Sequence, residues 1–426
     1  ETELKRFQNM GAGLQIKNKM TAIETGIDLR KDESFQDYLL WETDSDDFIG
    51  FMNYKSETRS GWKRDIIFKK RVKSFEDNST TTDYSLAKVL LGFKQDHKPI
   101  QWEFQVKTEE SYSEERAIVY DSVGAGLGQY RYDPIFNTYI SDPNGAFISY
   151  TIPTGKRDPN TVIEGSQKFT IDLGKISGFP NIMFRGNNRL DYRGSGTEIR
   201  KLIQPNITDS LSTRSRLISR LEMIYFGKNR FRSWIDNNQA LNGLDPRGND
   251  LDHSNEVGLE IDQALSKLIT IKNNGKFRKK SVESTVSTLR NRDVKGWWNE
   301  IQLQVKLSES MDFDLGLMGG FDSGKQQGKS FSSQAYGLLL NGRFFFKKTG
   351  RFQSQISWVN AAEKDKLPYL PPEALNGFPV GTSFRSNTRL QYFLNRSVSM
   401  IFTLNTIDDG RYNNFITFRG EIRAHF

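Results

Sequence analysis

The chain holds 426 residues with 36% hydrophobic, 26% charged, a net charge of +8 and no cysteine, which removes disulfides, thiolate metal sites and cysteine nucleophiles. No apolar run approaches the ~18 residues of a membrane helix, so a bilayer crossing would need a closed sheet. Lys and Arg alternate with Asp and Glu and form no block, which argues against nucleic-acid binding. The mean hydropathy of −0.62 does not decide solubility, because a membrane barrel shows lipid only every second residue.

The first residues, Glu1-Thr-Glu-Leu4, carry neither the charged nor the apolar region of a signal peptide, so the numbering is expected to start at a mature terminus or inside a longer precursor. Segments 22–29, 51–55, 65–72, 86–94 and 100–107 alternate as strands, and residues 1–117 are assigned to N-terminal barrel strands. Asp44, Asp46 and Asp47 are expected in an acidic loop. Residues 118–160, rich in Gly, Tyr, Asp and Pro, form a β-rich insertion outside the wall or against its mouth. Its Gly124/Gly126/Gly128 series precedes Tyr130 and Tyr132 with no strand-turn-helix context, so it predicts turns rather than a phosphate loop.

Residues 161–426 are assigned to C-terminal barrel strands. Segments 169–173, 182–184, 189–193 and 213–226 read as strands; 257–261 and 285–289 are weaker. The stretch 250–256 is expected to be a loop, with Asp250, Asp252 and Glu256 as weak metal candidates that lack the glycine and spacing of a calcium loop. His253 is the best available base for a barrel-borne hydrolase, but no nucleophile motif accompanies it; no catalytic residue is assigned and no cofactor is expected.

From residue 297 onward a period of two dominates. Leu303, Val305, Leu315, Leu338, Phe344, Ile356, Met400, Phe402, Phe418, Ile422 and Phe426 fall on a lipid-facing side. Lys306, Asp312, Asp314, Arg343, Arg385, Arg389, Arg419, Glu421 and Arg423 fall on a lumen-lining side. Strands of about 9–11 residues suit a tilted crossing and exceed the 5–6 typical of a soluble sandwich. Residues 308–310, 347–350 and 395–396 read as tight turns, whereas 322–333 and 360–381 read as long polar loops, the asymmetry of bacterial barrels.

The ending Phe418-Arg-Gly-Glu-Ile-Arg-Ala-His-Phe426 resembles the C-terminal β-signal of outer-membrane proteins. Patches such as 123–133, 139–145, 367–369 and 381–384 resemble large uncharacterised outer-membrane proteins of the Bacteroidota type. The resemblance implies the outer membrane of a Gram-negative bacterium, contact with lipid and lipopolysaccharide, and recognition of the last strand by the barrel-assembly machinery. The expectation is an all-β, antiparallel transmembrane β-barrel of roughly 14–18 strands with a small β-rich insertion. It would act as a pore or conduit for polar solutes or exported chains, or as a structural anchor that docks envelope proteins.

Overall fold

The structure, a computed structural model, describes residues 5–36, 40–75, 82–194, 212–346, 349–365, 370–395 and 397–424. Strands occupy almost all of it: β1 (Lys5–Lys17), β2 (Thr21–Gln36), β3 (Leu40–Glu57), β4 (Trp62–Phe75), β5 (Thr82–Phe93), β6 (Ile100–Ser122) and β7 (Gly128–Asp133). There follow β8 (Thr138–Gly145), β9 (Phe147–Asp172), β10 (Ile182–Gly194), β11 (Ser212–Phe226), β12 (Arg230–Asn242), β13 (Asp250–Ala264) and β14 (Ile269–Ser284). The last are β15 (Arg292–Ser308), β16 (Met311–Gln326), β17 (Lys329–Phe346), β18 (Gly350–Glu363), β19 (Gly381–Phe393), β20 (Val398–Asp408) and β21 (Phe415–Ala424).

Each strand pairs antiparallel with the next, except that β6 pairs with β9 and so bridges the β7–β8 hairpin. The result is an all-β barrel wall of nineteen strands among the described residues, one more than the upper expectation of 18. The strands are also longer than expected, many of them 13–18 residues. At about 3.3 Å per residue, 13–18 residues extend about 43–59 Å along the strand. β1 and β21 are each paired on one side only among the described residues. They run in the same direction because nineteen is odd, so a wholly antiparallel closure requires an odd number of further strands between them.

Connections differ between the rims. One carries short turns such as Glu309-Ser310 and 18–20; the other carries 123–146, 243–249, 285–291 and 364–380. Two expectations change here. The stretch 322–333 is no long loop, because β16 and β17 stay in register to Gln326↔Lys329 and turn through Gln327-Gly328. Both turn residues have positive φ, the geometry that continues the twist of a hairpin. The stretch around 370–380 does not extend outward from the wall but packs against its inner face, as described below.

Residues 118–160 are the upper half of a ribbon. β6 and β9 pair from Ile100↔Ile171 to Ser122↔Phe147, whereas β5 reaches only Glu109 and β10 only Thr161. The β7–β8 hairpin caps the ribbon, with Tyr120, Tyr130, Tyr132, Tyr139 and Phe147 in mutual ring contact. Gly124 and Gly126 take positive φ, the turn role their spacing predicts. Arg247, in the β12–β13 connection, ties the ribbon down by donating to Ser149 Oγ at 2.6 Å while pairing with Asp245.

A candidate lumen constriction

The inner face is identified by what packs on it. Residues 370–378, between β18 and β19, form a strap whose Ala374, Leu375 and Phe378 are buried. Leu375 and Phe378 join Trp298, Met318, Ala335, Leu339, Val359 and Ala361 in one cluster, and Ala374 joins Val294 and Phe331 in another. Phe378 stacks on Trp298 at 5.9 Å and 13°, and the Arg385 guanidinium lies 4.2 Å from the Phe378 ring centroid as a cation–π partner.

Polar groups fix the strap at three points. Asp322, in β16 and 1% exposed, accepts from Arg278 Nη2 at 2.9 Å and from the backbone N–H of Leu375. Arg278 also donates to Asn376 Oδ1 at 3.2 Å. Glu373 takes a two-pronged bond from Arg292, 2.9 and 2.8 Å, with Lys280 at 3.4 Å. The Gly377 carbonyl accepts from Arg385 and Arg411 at 2.9 and 2.8 Å, and both arginines pair with Asp409. A short segment thus reaches from β14 to the connection after β20; flat strands ~4.8 Å apart could not all meet it, so the sheet curves around it.

Local sequence makes this possible. Leu375, Asn376 and Gly377 have φ of 48°, 58° and 82°, a left-handed run that turns the strap back on itself and is costly at Leu375. Wall glycines supply room. Gly296 lies in the row between Arg278 and Asp322, and a Cβ there would sit 2.1 Å from Asp322 Oδ1. Gly320 leaves space for the Trp298 indole in the same way.

Burial pushes the Glu373 carboxyl up, but the Arg292 guanidinium, a backbone N–H and Lys280 outweigh it and hold it below the ordinary range. Asp409 is likewise raised by burial and lowered further by the N–H groups of Arg411 and Tyr412 and by Arg385. Both anchors therefore stay ionised through neutral pH.

Register carries the strap-bearing face around the wall. Lys306 lies opposite Asp312, and Gln304 opposite Asp314; Arg343 binds Asp312 at 2.6 Å and approaches Asp314 at 3.9 Å. Arg385, Arg389, Arg419, Glu421 and Arg423 continue that face, with Glu421 between Arg419 and Arg423. Cavities of about 410 and 290 Å³ lie along it, bordered by Gln355, Asn387, Asp314 and Arg343. Leu303, Val305, Leu315, Leu338, Phe344, Ile356, Met400, Phe402, Phe418 and Ile422 occupy the opposite, outward face. His425 and Phe426 lie outside the described residues.

The acidic 250–256 stretch is part of β13 rather than a loop, because its residues pair with β12 and β14 throughout. Asp250, Asp252 and Glu256 share the inner face and each meets a cation: Arg290 at 2.8 Å, Lys280 at 3.2 Å and Lys276 at 3.7 Å. No group of three or more acidic or His side chains among the described residues could hold a metal. His253 projects to the opposite face, beside Asn237, away from the aspartates proposed as its neighbours. Asp44, Asp46 and Asp47 also lie in a strand, β3, rather than a loop, and Asp47 binds Arg71. The strap, Asp322, Arg278, Arg292 and the Asp409 pair escape the sequence reading; the available signal is the run of glycines at every second inner position of β16, Gly316, Gly320 and Gly324, with a proline-rich segment ending in Asn376-Gly377.

No family model and no curated protein matches the sequence. Among solved structures the chain is similar to a mutant ferric enterobactin receptor from Pseudomonas aeruginosa in complex with enterobactin, at 10% identity, covering 98% of this chain and 70% of that one, with a TM-score of 0.38. It is also similar to the ferric enterobactin receptor in complex with BCV-L6, at 9% identity over 99% and 80% of the two chains, with a TM-score of 0.35. The register and the inward strap, independent of either likeness, define this chain as an antiparallel β-barrel wall with a polar interior narrowed by one of its own connections.

Proposed function

We propose that the protein is an outer-membrane β-barrel that conducts polar solutes or exported chains through a lumen narrowed by the 370–378 strap. The observation that carries this reading is the division of the wall into two faces. Leu315, Leu317, Phe418 and Ile422 stand outward and exposed, as a lipid-contacting face requires, while the inner face carries ion pairs around unfilled cavities. In this reading the long-connection rim faces outward from the cell, the outward face meets lipid and lipopolysaccharide, and the last strand is read by the barrel-assembly machinery. No catalytic step is part of it. Planar-bilayer recordings and liposome swelling with the purified chain test it: stepwise conductance is expected, and a folded barrel that passes neither ions nor sugars would refute it.

A second reading, a barrel that docks envelope proteins, is favoured by one feature. The ribbon tip exposes Leu127, Ile135 and Phe136 at 75, 84 and 74%, an apolar edge held clear of the wall. Mild-detergent purification of the parent and of an Ile135→Ser/Phe136→Ser variant tests it; the same recovered partners from both would refute it.

A further inference from the structure

We infer that the inner wall between β9 and β13 holds a binding site for a multiply charged oxyanion, bearing phosphoryl or carboxylate groups. A cavity of about 760 Å³ there is bordered by Arg189, Arg193, Arg214 and Arg216 together with Glu164, Asp191, Asp250 and Asp252. The count of charges is even, but their partnerships are not. Asp191 is held by Arg189 at 3.1 Å, Asp250 by Arg290 and Asp252 by Lys280, and Glu164 lies opposite Lys107 in register. Asp191, Asp250 and Asp252 therefore each meet a cation, those of Asp250 and Asp252 coming from outside the cavity, whereas Lys107 is ion-paired with Glu109 and faces Glu164 in register only.

Three arginines remain in excess. Arg193 and Arg214 are directly opposite in the β10–β11 register, and neither guanidinium has a hydrogen-bond or ion-pair partner among the described residues. Among the described residues Arg216 has only Asn238 Oδ1, at 3.3 Å. Like charges directly opposed across a strand pair destabilise the sheet, and the arrangement is solvent-facing, with Arg193, Arg214 and Arg216 all exposed to the cavity. The register shift at Arg193/Gly194 is a bulge, a device that re-aims side chains. Planar guanidinium forks bordering one cavity suit an oxyanion, which would remove their repulsion on binding.

This rests on the proposed reading of the interior as a solute-accessible lumen, yet its test does not use transport. Isothermal titration of the full chain in detergent at low salt uses pyrophosphate and citrate as separate probes. Binding of either is expected, and binding of only one tells phosphoryl from carboxylate preference. Arg214→Gln should weaken it roughly tenfold or more, the worth of one charge-assisted contact, and Arg193→Gln/Arg214→Gln should abolish it. Arg214→Lys, which keeps the charge and loses the fork, should fall between. Arg423→Gln, on the same face but paired with Glu421, should leave it unchanged. A wild-type chain that binds neither probe, or a double variant that binds as well as wild type, overturns the site. Binding without conductance would instead sink the conduit and leave the site standing.

Discussion

Replacing Glu373 by Gln keeps the size of the strap's main anchor and removes its charge. The Glu373 and Arg292 side chains are only 13 and 24% exposed, so their two-pronged bond is little weakened by solvent. Charge-assisted hydrogen bonds of this kind are worth about 1.5–3 kcal/mol net, and that amount converts to an increase of about 10- to 150-fold in the open fraction of the strap. Because the chain has no cysteine, Ala374→Cys supplies a single thiol at a position that is fully buried under the closed strap. Its labelling rate by a disulfide reagent then reads the open fraction directly. Glu373→Gln should raise that rate by the stated factor at neutral pH while the barrel's unfolding midpoint barely moves. A rate within twofold of the parent would refute the idea that this ion pair holds the strap.

Acid should release the strap without mutation. Glu373 and Asp409 are both lowered, so their contribution is complete above the ordinary carboxylate value of about 4 and is lost as pH falls through the lowered values; Ala374→Cys labelling, divided at each pH by that of a free thiol because only the thiolate reacts, should be flat from neutral to about pH 5 and rise only below pH ~4. Gly377→Ala should also loosen the strap, since its φ of 82° is strained for a residue with a Cβ, by about 1 kcal/mol or somewhat more, seen as faster labelling. Leu303→Arg on the outward face should cost about 2–4 kcal/mol of folding into lipid vesicles, whereas Gln304→Arg, one residue on and facing Asp314, should be near neutral; equal costs would refute the assignment of faces.

The alternation of Leu303, Leu315, Leu338, Phe402 and Ile422 was legible because strand faces follow a strict period of two that no tertiary contact can override once register is set. The faces of β15 to β21 therefore follow from sequence, whereas the register of β16 on β17 and its turn at Gln327-Gly328 do not. The strap was not legible, because residues 360–381 show no period, and their inward path is decided by Phe378 meeting Trp298, 80 positions earlier in the chain. Asp322 shows the same limit. Its neighbours Gly319, Gly320, Ser323 and Gly324 look like a loop by composition, yet they sit in strand β16, where Gly320 leaves space for Trp298, while Gly296 of β15 leaves space beside Asp322 for its pair with Arg278. Asp250, Asp252 and Glu256 were misplaced for a related reason. A polar run reads as a loop, although a strand facing a charged interior needs polar residues on its inner side.

The strap and the arginine cavity are joined by one side chain. Lys280 Nζ stands 3.2 Å from Asp252, which borders the cavity, and 3.4 Å from Glu373, which anchors the strap. A single ammonium shared between two carboxylates neutralises each only in part, so losing one lets it serve the other fully. Release of the strap should therefore leave the cavity more positive in effect and tighten anion binding. By reciprocity, a bound anion should favour release by the same factor. Residues linked through a shared partner are coupled by about 0.5–3 kcal/mol, so Glu373→Gln should tighten pyrophosphate binding about 2- to 150-fold and pyrophosphate should speed Ala374→Cys labelling in the parent by a matching ratio. Lys280→Gln should abolish both effects together while leaving Arg193 and Arg214 in place. If Glu373→Gln leaves the affinity unchanged while the lysine is present, the two sites are independent and Lys280 is no more than a brace between neighbouring strands.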